Sequence, residues 1–594
     1  MRHLKLWIFP VLIVISACVF IVAASWNESL TYDEVTYIPS GYSYVSHGDM
    51  HLNPEHPPLF KDMAGLPLLF MDIRQDAFST RSWNGSPNEQ WNFGREFLFT
   101  TGNDAYAIAR AARLPMLFFF AAAAAALFVW TRMRYGITAA YMALIVFCFS
   151  PSIMAHAGFV TNDIASMCGA IIGLFGYAYF LRYPSLARAL VASLGLGFAL
   201  LTKFSNVLLI PLFFAFSFVY AFLSWKRKEV TTWGKDETFS SIIAKTCVIY
   251  IVAIFGCVYP LYALHTFNYP PEKQRQDTEE IMSNFPSSDT LIWLSDKPVA
   301  RPLTQFILGI SLNIQRTNTG TKSYLAGHIS DEPSRIYFPL AYTIKEPLPW
   351  IMLVVAGAGL GIFRLYRRIS PKEKTGVQSA LWKYQDELLI VAWLISYGGL
   401  SIAGNLTIGI RHIFPLYPFI IMLVCGAIMW AIHCIAHHHK TYGPIASAAT
   451  WIIIIWYVIE NLLAFPFYLP YFNQFVGGSA NGGAYLNDSN VDWGQEMIRL
   501  RAWLDANNVA KIEGDIFTSA DLWYYLGDRF VPLYQDKYSS AEDFIARSQT
   551  EWIAISESTL REKWAQGHYG WLHTYEPVTV IGHAMRVYRI TAGI

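Results

Sequence analysis

The chain alternates between long apolar runs and polar segments of two kinds. Apolar runs of roughly 17–24 residues, the length a helix needs to cross a bilayer, recur at 6–25, 108–130, 137–153, 163–181, 187–201, 205–225, 242–264, 347–364, 387–403, 412–434 and 443–465. This pattern predicts about eleven spans, with 187–201 the shortest. The connections "TRMR" (131–134), "LRYPSLAR" (181–188), "WKRKE" (225–229), "RLYRRISPKEK" (364–374) and "HHHK" (437–440) are basic. Together with the N-terminus they fall on one side, at every second connection. Clustered Lys and Arg mark the cytoplasmic face. The opposite face then carries three large pieces: 26–107, 265–346 and the tail from 466. The first run, Leu6 to Ala24, has the basic start (Arg2, Lys5) and the small residues near its end that a signal peptide would have. It is longer than a signal-peptide core, and a retained helix is expected.

Composition agrees with this division. Of 594 residues, 54% are hydrophobic and 15% charged, against about 25% charged in soluble domains. Mean hydropathy is +0.31. A net charge of +1 gives no support to a nucleic-acid partner. Cys18, Cys148, Cys168, Cys247, Cys257, Cys425 and Cys434 all lie in or beside apolar runs, without a C-x-x-C pair. They read as small apolar residues.

The tail changes character near 480. "DSNVDWGQEMIRLRAWLDANNV" (488–509) predicts an amphipathic helix. "KIEGDIF" (511–517) and "EWIAISES" (551–558) predict strands, and "VTVIGHAMRVYRI" (578–590) a hairpin around Gly582. The expected fold class is a polytopic α-helical membrane protein with a small C-terminal α/β domain. Residues 1–470 are expected to form the membrane part and 471–594 the extracytoplasmic domain.

Candidate chemistry begins directly after the first run. Asp33 and Glu34 form an acidic pair at a membrane face, where they read as a general base, as metal ligands, or as a solvated helix start after Thr31. "NPEHPPLFK" (53–61) follows. Its Pro57-Pro58 pair blocks helix and stiffens the turn, so that Glu55, His56 and Lys61 are displayed by a rigid element beside the acids.

"TYDEVTY" followed by "NPEHPPLFK" resembles the first outer loop of the GT-C superfamily of membrane glycosyltransferases. It resembles in particular protein O-mannosyltransferases and bacterial phospholipid-carrier-dependent glycosyltransferases, including the lipid A aminoarabinose transferases. "SPSIMAHAGFVTNDIAS" (150–166), "GFALLTKFSNVLLIP" (197–211), "YFPLAYTIKEPLPW" (337–350), "NLTIGIRHIFPLYPF" (405–419) and "YFNQFVGGSANGGAYLNDSNVDWGQE" (471–496) are similar to later segments of those families, in the same order. The resemblance runs from about residue 5 to 510. It implies a GT-C fold and an inverting transfer of a monosaccharide from a polyprenyl-phosphate carrier to an acceptor hydroxyl on a protein, lipid or glycan. The partners it implies are the lipid-linked donor, the acceptor and membrane lipid, without nucleic acid, in a bacterial inner (plasma) membrane.

The span pattern places Asp33, Glu55, His56, Asp163, Lys203, Lys345 and Arg411 at one membrane face. Lys203, Lys345 and Arg411 each end an apolar run. They either reach toward head groups or converge on a lipid phosphate. Asp163 binds substrate or caps the helix that "TND" starts. His412 binds substrate or packs. A carboxylate cannot deprotonate an alcohol in advance, so Asp33 is expected to take the acceptor proton in concert with attack. Lys203 and Arg411 are expected to stabilise the leaving phosphate, and Glu34 to orient the acceptor or His56. A divalent metal on Glu55 and His56 stays open: some members of the superfamily use one and others do not. No other cofactor is called for. Asp488 and Asp492 read as Ca²⁺ ligands or, better, as helix-start caps. The alternatives are an oligosaccharide ligase or polymerase with a diphosphate carrier, a transporter, and an assembly protein. A transporter would show mid-membrane charges and repeat symmetry, and these are not seen.

Overall fold

The computed structural model describes residues 2–226, 238–283, 285, 288–369 and 382–591. The basic stretches 225–229 and 364–374 lie partly outside these residues. Every predicted apolar run is helical. Among the described residues, eight helices are long and apolar enough to cross a membrane: α1 (Trp7–Ser25), α2 (Ala105–Tyr135), α4 (Asn162–Arg182), α6 (Phe204–Leu223), α7 (Phe239–His265), α9 (Gln385–Ala403), α10 (Ile410–His438) and α11 (Tyr442–Ala464). α3 is a pair, Ile137–Cys148 and Pro151–Ala157, bent by 60°. Pro151 opens its second half, and the Ser150 hydroxyl accepts the Ile153 N–H. α5 (Leu186–Thr202) and α8 (Leu348–Arg364) are shorter apolar helices. At 17 residues α5 rises only about 26 Å, less than the ~30 Å hydrocarbon core. The expected eleven spans are therefore eight full-length ones, a bent pair, and two helices with shorter apolar stretches, Leu186–Thr202 and Leu348–Arg364.

α4 and α5 pack closely because small residues face each other. A Cβ on Gly169 would lie 2.4 Å from Thr202 Oγ1 and 2.9 Å from Ala199 Cα. Gly173 meets Gly195 and Ala199, and Gly176 meets Ala192, in the same way. Such a seam lets backbones approach. Because the two helices run antiparallel, it brings the start of α4 beside the end of α5, that is, Asp163 beside Lys203. At the opposite end of the bundle Arg134 pairs with Glu387 and Arg182 with Asp386, each at 2.7 Å. The basic connections 131–134 and 181–188 thus share one end, as the alternation of charge requires.

The tail forms a five-stranded sheet in the order β4-β3-β5-β7-β6. Its strands are β3 (Ile512–Asp515), β4 (Phe530–Pro532), β5 (Trp552–Ser556), β6 (Thr579–Ile581) and β7 (Met585–Arg589). β3 runs parallel to β4 and β5, whereas β7 is antiparallel to β5 and β6. The expected hairpin turns at Gly582 and His583, both with positive φ (58° and 57°), closed by Ala584 N–H donating to the Ile581 carbonyl; this is the mirror-image turn that suits strand twist. A second hairpin, β1 (Ser323–Leu325) and β2 (His328–Ser330), lies in the piece 265–346 and was not expected.

The helix expected over 488–509 is shorter, Met497–Ala506, after a single turn at Asp488–Asn490. Gly494 (φ 86°) interrupts it. The capping expectation is corrected accordingly: the helix is flanked by Glu496 without a side-chain cap. Asp488 and Asp492 instead accept the nearby N–H groups of Ser489 and Gly494. Segment 468–512 shares one continuous core with the membrane helices. A separate small cluster around Phe544, Ile553 and Leu572 belongs to the sheet domain alone.

Candidate active site

Four helix ends converge where the polar pieces meet the bundle. Asp33 precedes the helix Glu34–His47, Asp163 lies in the first turn of α4, and Arg411 lies in the first turn of α10. Lys203 is a single extended residue (φ −158°, ψ 138°) between α5 and α6. Together they border a cavity of about 160 Å³. Its polar lining includes Asp33, Tyr37, His56, Asn162, Asp163, Lys203, Arg316, Tyr397, Arg411 and His412, and its apolar lining Leu208, Phe338, Leu400, Leu406 and Ile408.

The charges form one chain. Arg411 Nη1 donates to Asp33 Oδ2 at 2.9 Å and lies 3.6 Å from Asp163 Oδ2. Lys203 Nζ donates to Asp163 Oδ1 at 2.7 Å. This chain is not saturated. Among the described residues, Arg411 Nε, Asp163 Oδ2 and His412 Nε2 are buried without a hydrogen-bond partner. Such groups are rare and costly unless something else engages them. His56 accepts the Asn162 amide on Nδ1 at 3.0 Å and meets the Tyr37 ring edge-on. Burial, reinforced by Arg316, Lys61 and Lys203, holds its pKa well below the usual imidazole value. His56 is thus a neutral hydrogen-bonding group.

Six of the ten residues singled out in the sequence line this cavity: Asp33, His56, Asp163, Lys203, Arg411 and His412. Glu55 sits at its rim, 3.3 Å from Arg316. The structure places the other three elsewhere. Glu34 is sealed away, accepting from Arg113 Nε and Nη2 (2.8 and 2.7 Å), from Val160 N–H and from the backbone and hydroxyl of Thr31. With every lone pair engaged it anchors the piece 26–107 and does not line the cavity. Lys61 is buried against Tyr44 and Asn53, and burial pulls its pKa down to about 7. Lys345 donates to the carbonyls of Leu469 and Asn490, both at 2.6 Å, fastening the tail to the bundle.

Sequence reasoning missed Tyr37, Arg316 and Tyr397. Tyr37 was legible: it lies one helical turn after Asp33, whose carbonyl accepts its N–H, and so shares its face. Arg316 ends a long helix, Arg301–Thr319, within a piece read only as a block. Tyr397 lies in an apolar run and donates to the His412 carbonyl; no local pattern announces it.

Glu55 lies 3.3 Å from Arg316, and His56 is hydrogen-bonded to Asn162 through Nδ1. Among the described residues no three His, Cys, Asp or Glu side chains are grouped to hold a metal ion.

No protein-family model and no curated protein matches the chain. Among solved structures it is similar to ArnT from Cupriavidus metallidurans bound to undecaprenyl phosphate, with 14% identity, 98% of each chain covered and a TM-score of 0.44. It is also similar to the archaeal oligosaccharyltransferase AglB from Archaeoglobus fulgidus, with 12% identity, 96% of this chain and 72% of that one covered, and a TM-score of 0.44. The S. cerevisiae protein O-mannosyltransferase Pmt1-Pmt2 complex matches over 45% of this chain and 34% of that one, with 15% identity and a TM-score of 0.33. These likenesses are distant, and the functional reading rests on the site itself.

Proposed function

We propose that this protein is an inverting glycosyltransferase. It moves a monosaccharide from a polyprenyl-phosphate carrier to an acceptor hydroxyl at the outer face of a cell membrane. One observation carries the reading: a cavity at the ends of apolar helices in which three cations, Lys203, Arg316 and Arg411, face two carboxylates, Asp33 and Asp163. Glu55 balances Arg316 at the rim, which leaves Lys203 and Arg411 as the inner cations that would meet a phosphodiester. The apolar wall suits the start of a prenyl chain beside that phosphate.

In this reading Asp33 accepts the acceptor proton as the acceptor oxygen bonds to the anomeric carbon. The bond from that carbon to the phosphate oxygen breaks, and its electron pair leaves on the phosphate. Lys203 and Arg411 stabilise the charge that develops there. Attack opposite the leaving group inverts the anomeric centre. Asp163 keeps both cations in place, and His56 supplies a neutral hydrogen bond to the sugar or acceptor.

The test is release of polyprenyl phosphate from a panel of polyprenyl-phosphate monosaccharides by protein in liposomes. D33N should lose about 10²–10⁴-fold in turnover with an unchanged melting temperature. Near-normal turnover by D33N would overturn the role of Asp33. Turnover of diphosphate-linked donors alone would replace this reading with a ligase.

A further inference from the structure

The pair Asp33–Arg411 is held from a third direction, by the tail. Segment 489–497 grips both stretches of chain that carry the pair. On one side Tyr32 N–H donates to the Trp493 carbonyl (2.8 Å) and Ser29 N–H to that of Gln495 (3.0 Å), while the Ser29 hydroxyl donates to the Gly494 carbonyl (2.8 Å). Tyr32 immediately precedes Asp33. On the other side Ile410 N–H donates to Asn490 Oδ1 (3.0 Å) and the Ser489 hydroxyl to the Ile408 carbonyl (3.1 Å). The approach is close enough that a Cβ on Gly409 would lie 2.3 Å from Ser489 Oγ. Between these grips lies the Trp493 side chain, 1% exposed. Its ring lies under the Arg411 guanidinium, 4.1 Å from Cζ. The rings of His156 and Phe159 pack around it.

We infer that Trp493 is a positioning residue: its ring fixes the guanidinium of Arg411 against Asp33, so that the docked tail completes the catalytic site. The inference rests on the glycosyltransferase reading above. A guanidinium with one close carboxylate partner, a second at 3.6 Å and an unpaired Nε is only partly fixed by its polar partners. A buried aromatic face restrains it by cation–π attraction without consuming its N–H groups, which stay available for a phosphate. Loss of the face therefore leaves ground-state donor binding to Lys203 and Arg316 and weakens the charge stabilisation that matters during transfer.

The experiment compares W493F, which keeps an aromatic face, with W493L, which keeps apolar bulk without one, in liposomes with the polyprenyl-phosphate donor used by the wild type. W493L should lower kcat about 10–100-fold with donor KM within about threefold, and W493F should restore most of the loss. In an R411Q background, which leaves no cation over the ring, the W493L effect should largely vanish, because residues acting through one contact are not additive. Equal kcat in W493L and wild type, additive losses with R411Q, or equal losses in W493L and W493F would overturn the inference. If W493L does not fold, W493M takes its place, since its flexible chain fits the same space; failure of both to fold would assign Trp493 to stability alone. A wild type inactive with every donor would instead refute the glycosyltransferase reading on which this one stands.

Discussion

Two carboxylate–arginine clusters sit side by side at the start of the first polar piece, built on adjacent residues. In one, Arg113 grips Glu34 with two nitrogens and gives its remaining hydrogens to the carbonyls of Ser25, Glu28 and Ser29. In the other, Arg411 makes one short bond to Asp33, lies 3.6 Å from Asp163, and keeps Nε unpaired above an aromatic ring. Both arginines are buried, so depth does not distinguish them. Saturation does. A bidentate, fully satisfied pair has nothing left to offer a ligand, whereas an under-satisfied one beside a cavity has donors to spare. Glu34, expected as a partner in catalysis, belongs to the first kind, and Asp33 to the second.

Substitutions can break this contrast. The largest effect is that of D33N, read as turnover without a change in melting temperature. Next is R113A, which leaves Glu34 buried without its counter-charge. It should cost about 3–5 kcal/mol of stability, seen as a lower melting temperature and yield, while turnover per folded molecule stays near that of the wild type. Impaired turnover in fully folded R113A would show that the sealed cluster also serves chemistry. A smaller effect is expected from K203M. It removes one charge-assisted bond, of the kind that contributes about 1.5–3 kcal/mol, and should raise the donor KM roughly tenfold or more; an unchanged KM would remove Lys203 from the phosphate site.

The smallest effect concerns pH and the tail segment between the two clusters. Burial raises the pKa of Asp492 from 3.8 to about 7. The folded state therefore binds more protons than the unfolded one in that interval. The contribution of Asp492 to stability is full below about pH 4 and is lost as pH rises through about 7. D492N should show a melting temperature that varies less than that of the wild type between those values. An identical pH dependence would mean that Asp492 is not the group that titrates.

Legibility in the sequence followed the range of the interactions. The Asp-Glu pair, the Pro-Pro turn and the charges that end apolar runs stood out because each is a local anomaly in composition. Nothing local tells Asp33 from Glu34, because their difference lies in Arg113 and Arg411, which are 79 and 378 positions away. Lys345 looked like Lys203 for the same reason: both end an apolar stretch, and only the fold sends one to the tail's carbonyls and the other to Asp163. Trp493 was read as part of an amphipathic helix, and it is the bend at Gly494 that turns it onto Arg411.

The sequence by itself determined the apolar helices and four of the five strands of the tail sheet, since hydrophobic period and turn residues act over a few positions. Only the tertiary structure decided which charges share a cavity and which are spent holding the chain together. That assignment depends on how many hydrogen-bond partners each buried group finds, and those partners come from helix ends and loops far apart in the sequence.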